Sequence, residues 1–382
     1  MKKFLSLLVL ISLSAMAVEI TPTIRVLQSL EFSDDMKFEN LELAINRQMV
    51  AYEVSGLSGK IRFGATTYPK TVLKESLLTL KTLAREGKEC LQTKTLIECN
   101  NRFNIDLNNL FAIYRPVPGK SESGYRKPKT VTKYTSYYSP DMTGSTVRTE
   151  RFSRPIYGMP KDVKDQNYTR VQIDFQGALQ GKGLELFWVE DSFYDIYLLH
   201  VQGGGRIHIQ NEDGSETLKY LSYAGKNSRT FKMVYHYMLE SGMLKPGEAG
   251  VSQQRKYLSE HPEVAEEVFG SCPSYVYFKV TEDEPLGLDN IPLTEGRSLA
   301  NDSGIYKTTG IINFVKTSKA LNVEDNGQVL KAPFARFFIS QDTGGAIKGN
   351  ARSDLYMGFG LKAELTAYSM NDMGEQYFLI KK

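Results

Sequence analysis

Between Phe38 and Tyr52 the apolar residues Phe38, Leu41, Ile45, Met49 and Tyr52 recur at three- and four-residue intervals, the spacing of one helix face. Leu73, Leu77, Leu80 and Ala84 repeat that spacing over Thr71 to Arg85, and Gly87 is expected to close this second helix. The period then changes. Val131 to Tyr138, Arg170 to Phe175, Phe187 to Val189, Ile196 to Val201 and Arg206 to Gln210 are short strand-like runs, with Asn211 to Gly214 as a turn. The stretch Arg115 to Lys129, rich in Pro, Gly, Ser and Lys, predicts an exposed crossing segment. Helical spacing returns over Arg229 to Leu239 and Ser252 to Phe269. Beyond Ser274 the pattern predicts strand to the end, with turns at Asp325-Asn326-Gly327, Gly344-Gly345 and Asn371 to Gly374. Helices, strands, helices and strands again, without a repeated βαβ unit, describe an α+β chain that is mainly β.

Composition narrows the class. The chain has 382 residues, 41% hydrophobic and 24% charged, which excludes disorder, collagen-like repeats and a polytopic membrane protein. The start of the chain reads as a signal peptide over residues 1–17: Met1 to Lys3 is positive, Phe4 to Leu13 is apolar, and Ala15-Met16-Ala17 offers small-residue cleavage before Val18. That apolar run is too short to span a bilayer, and no Cys beside the cleavage point suggests a lipid anchor. A soluble, exported, periplasmic protein with no transmembrane segment is expected. Removing Lys2 and Lys3 takes the formal charge from +3 to near +1, so nothing points to nucleic acid.

Three cysteines remain. Cys90 and Cys99 are close in sequence, and export permits a disulfide between them; Cys272, just before the apolar run Tyr275 to Val280, is expected to be buried. The four histidines His200, His208, His236 and His261 show no ligand spacing, so neither a metal nor a cofactor is expected. His200 and His208 sit in strand-like runs and read as packed or surface residues. Nucleotide-loop, zinc-protease and nucleophile-elbow fingerprints are missing.

The chemistry concentrates in two places. An apolar strand beginning at Phe337 ends at Gln341-Asp342, before Gly344-Gly345. Two readings of Asp342 stand at this point. A carboxylate at the end of an apolar strand is partly desolvated and can hold a proton near neutral pH. It can equally cap the turn by accepting from the glycine N–H groups. Asp354 follows twelve residues later, after a loop carrying Lys348 and Arg352. The second place is the strand-like run into Gln202-Gly203-Gly204-Gly205, which leaves backbone groups open to a ligand, or simply makes a hairpin. Tyrosine-rich runs at Tyr134 to Pro140 and Tyr220 to Asn227 offer stacking faces beside hydroxyl-binding groups.

Taken in order, seven segments resemble the membrane-bound lytic murein transglycosylase A (MltA) family. They are YTSYYSP from Tyr134, RPIYGMP from Arg154, HVQGGGRI from His200, SYAGKN from Ser222, PSYVYFK from Pro273, PLTEGRSLANDS from Pro292, and QDTGGAIKGNARSDLYMGFG from Gln341. The last pieces also look like the family's C-terminal three-aspartate (3D) domain, with aspartates at Asp302, Asp342 and Asp354. The resemblance covers Tyr134 to the C-terminus.

The resemblance implies a double-psi β-barrel domain from residues 18–138 plus 273–382. It also implies a smaller β domain inserted at 139–272, with a groove between them for peptidoglycan glycan strands. It implies a lytic transglycosylase with Asp342 as the one catalytic acid and base. Asp354, Asp302 and Lys348 would support it. Tyr137, Tyr138, Gln202, Gly203, Tyr223, Ala224, Gly225, Lys226, Asn227, Gly344 and Gly345 would contact the glycan. The family's lipid-anchoring Cys is missing here, as is its Pro-Gly turn after Asp302, where the chain reads SGIYKTTG. The family's Gln-Gly-Ser-Gly is Gln202-Gly203-Gly204-Gly205. A glycoside hydrolase, with Asp302 or Asp354 as a second carboxylate, and a silent wall-binding module are the competing readings; partners in cell-wall synthesis or remodelling are expected.

Overall fold

The computed structural model describes residues 18–119, 131–211, 213–247, 250–323 and 329–382. The signal-peptide segment, most of the 115–129 crossing and the turn expected at Asp325-Asn326-Gly327 lie outside these residues.

Two β domains make up the chain. In the larger, six strands close into a barrel in the order Ile312–Val323, Val329–Thr343, Ser298–Asn301, Arg352–Phe359, Thr132–Ser139 and Asn371–Lys381, which returns to Ile312–Val323. Strands Thr23–Val26 and Phe111–Pro116 extend the sheet from Asn371–Lys381. Ser298–Asn301 runs parallel to Val329–Thr343, and Thr132–Ser139 parallel to Arg352–Phe359. This is the double-psi barrel. Helices Leu41–Ser55, Thr71–Thr93 and Leu96–Leu110 cover one side, and their Leu, Ile and Phe side chains share one core with Phe314, Phe337 and Phe378 of the barrel.

The smaller domain is inserted after Ser139. Its six-stranded sheet runs Val276–Thr281, Glu216–Lys226, Gly204–Gln210, Asp141–Ser145, Glu185–Glu190, Phe152–Tyr157. Val276–Thr281, assigned by sequence to the barrel side of a boundary at residue 273, pairs with Glu216–Lys226 instead. The chain therefore leaves the inserted domain after Thr281.

Several elements differ from expectation for identifiable reasons. Gly87 does not end its helix, which continues to Thr93; the Phe38 ring packs so closely that a Cβ there would meet it at 2.8 Å. Ile196 to Val201 is not a strand but part of the helix Phe193–Gln202. The run is apolar on all sides, so its period is uninformative. The signal that decides it is Ser192, whose side chain accepts from the Asp195 N–H at 3.1 Å as an N-cap. Arg170 to Phe175 is likewise helical, Arg170–Asp174, started by a Thr169–Gln172 capping box. The helix expected from Arg229 begins only at Val234. Ser252 to Phe269 is broken near Pro262 into Val251–Glu260, a short 3-10 turn and Ala265–Gly270. Near the C-terminus a helix, Gly360–Ser369, interrupts the strands, and Asn371 to Gly374 is strand rather than turn.

One buried ion pair fastens the first helix to the barrel. Arg297 and Asp34 are both fully buried, with guanidinium–carboxylate contacts of 2.7 and 2.8 Å. The same carboxylate accepts from the N–H groups of Met36, Phe38 and Phe337. A buried pair is tolerable only when its lone pairs are filled in this way. That network holds the tight turn at Lys37, Phe38 and Asn40, all with positive φ, from which the Leu41–Ser55 helix starts. Cys90 and Cys99 are disulfide-bonded, with Cα atoms 5.7 Å apart, and join the second and third helices; Cys272 is a buried free thiol. Among the described residues no helix is long and apolar enough to cross a membrane.

Candidate active site

The site is built on one transverse row of the barrel. Ala300 is paired with Asp342 on one neighbouring strand and with Asp354 on the other. Asp354 is paired in turn with Thr135. Residues in register across a sheet share a face. Asp342, Ala300, Asp354 and Thr135 therefore line one surface, and the two aspartate backbones lie two strand spacings, about 10 Å, apart.

Asp342 is half-buried at the end of its strand. The residue before it, Gln341, is fully buried and pinned: its side chain accepts from Ser298 Oγ at 2.7 Å and donates to the Ala44 carbonyl at 2.9 Å. Alternation along the strand then turns Asp342 to the opposite face. Tyr137 Oη donates to Asp342 Oδ2 at 2.6 Å. Burial is the largest influence on Asp342 and raises its pKa to about 6; the Tyr137 hydroxyl and the Thr343 N–H pull the other way, and the Asp354 charge adds to the rise. No hydrogen bond runs from Gly344 or Gly345 N–H to Asp342 among the described residues, so of the two sequence readings the turn cap is not the one found. The Tyr137 phenol is itself held far above its ordinary pKa by burial and by the Asp342 charge, so it remains a donor.

Asp354 is committed elsewhere. It accepts from Thr135 Oγ1 and sits near the Arg352 guanidinium, which donates to Thr135 Oγ1 at 2.6 Å. Burial raises its pKa, while Arg352 and Thr135 oppose the rise. Asp302 is the residue that caps. Its two oxygens accept from the Gly304 and Gly349 N–H groups, each at 3.0 Å, and Lys348 Nζ lies at 3.4 Å. Burial alone would push Asp302 up, but these donors outweigh it and hold it below the usual carboxylate range. Asp302 thereby ties the 344–349 loop to the turn after Ser298–Asn301, and the Lys348 side chain, 66% exposed, pairs with that anchor.

The inserted domain carries the remaining candidate residues. Gly203 ends the helix Phe193–Gln202 with φ 78°, and the next strand leaves at once. The segment thus follows a helix cap, not a strand. Gln202 Oε1 accepts from the Tyr138 N–H at 3.2 Å, which ties the two domains beside the groove. Tyr223, Ala224 and Lys226 are exposed at a bulge of their strand, and Gly225 lies against Met159.

Two expected glycan contacts are corrected. Asn227 is 1% exposed; its amide donates to the Tyr168 and Pro273 carbonyls and its oxygen accepts from the Tyr275 N–H, so it fixes a loop. The Tyr138 ring is buried against Ala363 and Ala367, its hydroxyl 3.0 Å from that of Tyr368. Sequence reasoning passed over Thr135, Gln341 and Tyr356. Tyr356 packs against Tyr137 at 5.2 Å between ring centres and shares a hydrogen bond with Ser139. Among the described residues no group of three or more His, Cys, Asp or Glu is placed to hold a metal ion.

Comparison with known proteins matches the chain in sequence and in fold. Residues 133–279 match the MltA specific insert domain and residues 297–380 match the 3D domain. The chain is 33% identical over 249 residues to a membrane-bound lytic murein transglycosylase A of Vibrio cholerae, covering 64% of each chain. It is 29% identical to the protein of that name from Escherichia coli K12, covering 65% of each. The aligned part is thus just under two thirds of either relative's length. In fold, it resembles E. coli MltA with bound chitohexaose (TM-score 0.72, 22% identity, 94% of this chain and 95% of that one). It also resembles a membrane-bound lytic murein transglycosylase from Agrobacterium tumefaciens (TM-score 0.63, 24% identity, 93% and 98%).

Proposed function

Because the chain belongs to the membrane-bound lytic murein transglycosylase A family, we propose that it cleaves the β-1,4 bond between N-acetylmuramic acid and N-acetylglucosamine in peptidoglycan without water. The observation that carries this is the Asp342 carboxyl: half-buried on the groove floor, bonded to Tyr137, with a pKa of about 6. A carboxyl tuned to that range can give a proton and take one back under the same conditions.

Asp342 starts protonated. Tyr137 occupies Oδ2, so the transferable proton belongs to Oδ1, and it passes to the glycosidic oxygen as that bond breaks. Asp342, now a carboxylate, removes the proton from the muramoyl C6 hydroxyl, which closes on C1 to give a 1,6-anhydro end. Asp354 acts by its charge and by its bonds to Thr135, and is not the second carboxylate of a two-carboxylate hydrolase. Positive charge on the muramoyl ring is met by backbone carbonyls and sugar dipoles.

A glycan strand lies between the Asp342 row and the wall formed by Gln202, Gly203 and Tyr223 to Lys226, with Gly344 and Gly345 allowing close approach. Chitohexaose bound to the E. coli relative supports a glycan in this groove. The segment Met1 to Ala17 supports export to the periplasm, where such a substrate lies.

The test is Asp342→Asn, which keeps volume and removes the titrating proton. Turnover of purified sacculi falls about 10²–10⁴-fold while glycan binding persists. Wild-type turnover in this variant would overturn the assignment.

A further inference from the structure

A second pocket lies in the inserted domain and shares no residue with the groove. It encloses about 110 Å³ between the strands Glu185–Glu190 and Phe152–Tyr157 and the helix Arg170–Asp174. Trp188 forms one wall, with the Arg148 guanidinium 5.7 Å from its ring centre. Phe193 forms another, with the Arg154 guanidinium 3.9 Å above it. Arginines stacked on aromatic faces keep their N–H edges available for planar acceptors.

The charges in the pocket are unequally committed. Arg154 is paired with Asp191 at 2.5 Å. Asp174 faces Arg170 at 3.5 Å, and burial favours its neutral form. Arg148 lies on an exposed loop, against the Trp188 ring, with no ion pair found for it among the described residues. The uncommitted charge is therefore positive. Tyr157 lines the same space; the residue is 3% exposed, and burial holds its phenol above the ordinary tyrosine range, so it stays a neutral donor. The space holds several waters or a small planar acceptor group, one water needing about 10–15 Å³ of it.

From this arrangement we infer that the pocket binds a peptide C-terminal carboxylate, with Arg148 as its counter-ion and Tyr157 as a neutral donor. Resting on peptidoglycan as substrate, the inference assigns that carboxylate to the short peptides carried on the glycan strand. The pocket then holds the strand by its peptide while the groove holds the sugar.

Trp188 is the chain's one tryptophan, so its emission reports from the pocket wall. The full chain is titrated with N-acetyl-D-alanyl-D-alanine, with its C-terminal amide, and with acetate. The acid changes Trp188 emission saturably, the amide binds about tenfold more weakly, and Arg148→Gln loses about tenfold for the acid with calorimetry in agreement. Tyr157→Phe weakens the acid more than the amide. No saturable response, equal binding of acid and amide, or unchanged binding in Arg148→Gln overturns the site. Acetate bound as tightly as the dipeptide assigns the pocket to a free carboxylate and overturns the peptide. None of these readings depends on cleavage, so a protein that leaves sacculi intact but binds the acid contradicts the proposed reaction and not this site.

Discussion

Asp342 holds its proton through neighbours that push in opposite directions. Burial raises its pKa, the Tyr137 hydroxyl lowers it, and the Asp354 charge raises it. In the proposed reaction the acid form cleaves the bond, so kcat/KM is expected to fall as pH rises through about 6. Tyr137→Phe removes the lowering contact and moves that limb to higher pH. Asp354→Asn removes the raising charge and moves it to lower pH, with a smaller loss of rate than Asp342→Asn. Limbs that stay in place in both variants would mean that another group is titrating. The same shift has a stability consequence. A carboxyl whose folded pKa rises from 3.8 to about 6 binds its proton more tightly when folded, so its contribution is favourable at low pH and is lost between those values. Above pH ~6 the charged form costs the fold about 3 kcal/mol. Asp342→Asn is expected to be more stable than wild type by up to that amount at pH ~8, the gain vanishing near pH ~4. Urea unfolding at the two pH values measures it; a variant less stable than wild type at the higher pH would contradict the electrostatic account.

At the scale of elements, the amphipathic stripes and alternating runs were legible, and the helices that bury every side were not. The run Ile196 to Leu199 is buried on every side, so only the Ser192 cap marks it as helix. Gly87 misled because its role is to admit the Phe38 ring, a contact between parts of the chain nearly fifty residues apart. The aspartates stood out by their motifs, yet their division of labour is tertiary. Asp302 caps, Asp354 is tied to Thr135, and only Asp342 meets Tyr137. Asn227 looked like a ligand group because its demand for three backbone partners is invisible until the loop closes around it. The Cys90–Cys99 bond joins two helices through a loop of sequence separation 9. Its removal by Cys→Ser at both positions is expected to cost about 2–3 kcal/mol by loop-closure entropy. The pair lies on the helical layer and away from the Asp342 row, so kcat is expected to persist while the melting temperature drops. Lost turnover at a temperature where the variant is still folded would argue for a functional link.

Over the whole molecule, the two domains meet around the groove through few charged contacts. Arg255 of the inserted domain reaches Asp195 beside it at 2.9 Å and Glu364 of the barrel domain at 3.4 Å. Arg206 of the inserted domain stacks over Phe359 of the barrel at 4.5 Å. Because Arg255 is partly solvent-exposed, Arg255→Gln is expected to change global stability by about 1 kcal/mol or less. It also leaves two carboxylates without their shared counter-ion across the junction. Small-angle scattering is expected to show a larger radius of gyration, with little change in melting. An unchanged scattering profile would assign domain placement to the aromatic and backbone contacts alone.

The central claim is that one carboxyl works twice and that no water enters the product. Mass analysis of the muropeptides released from sacculi by the wild-type protein tests it most directly. The account predicts products lighter than hydrolytic ones by one water, ending in 1,6-anhydromuramic acid and taking up no label from isotopically heavy water. Reducing ends carrying solvent oxygen would identify a hydrolase and contradict the claim.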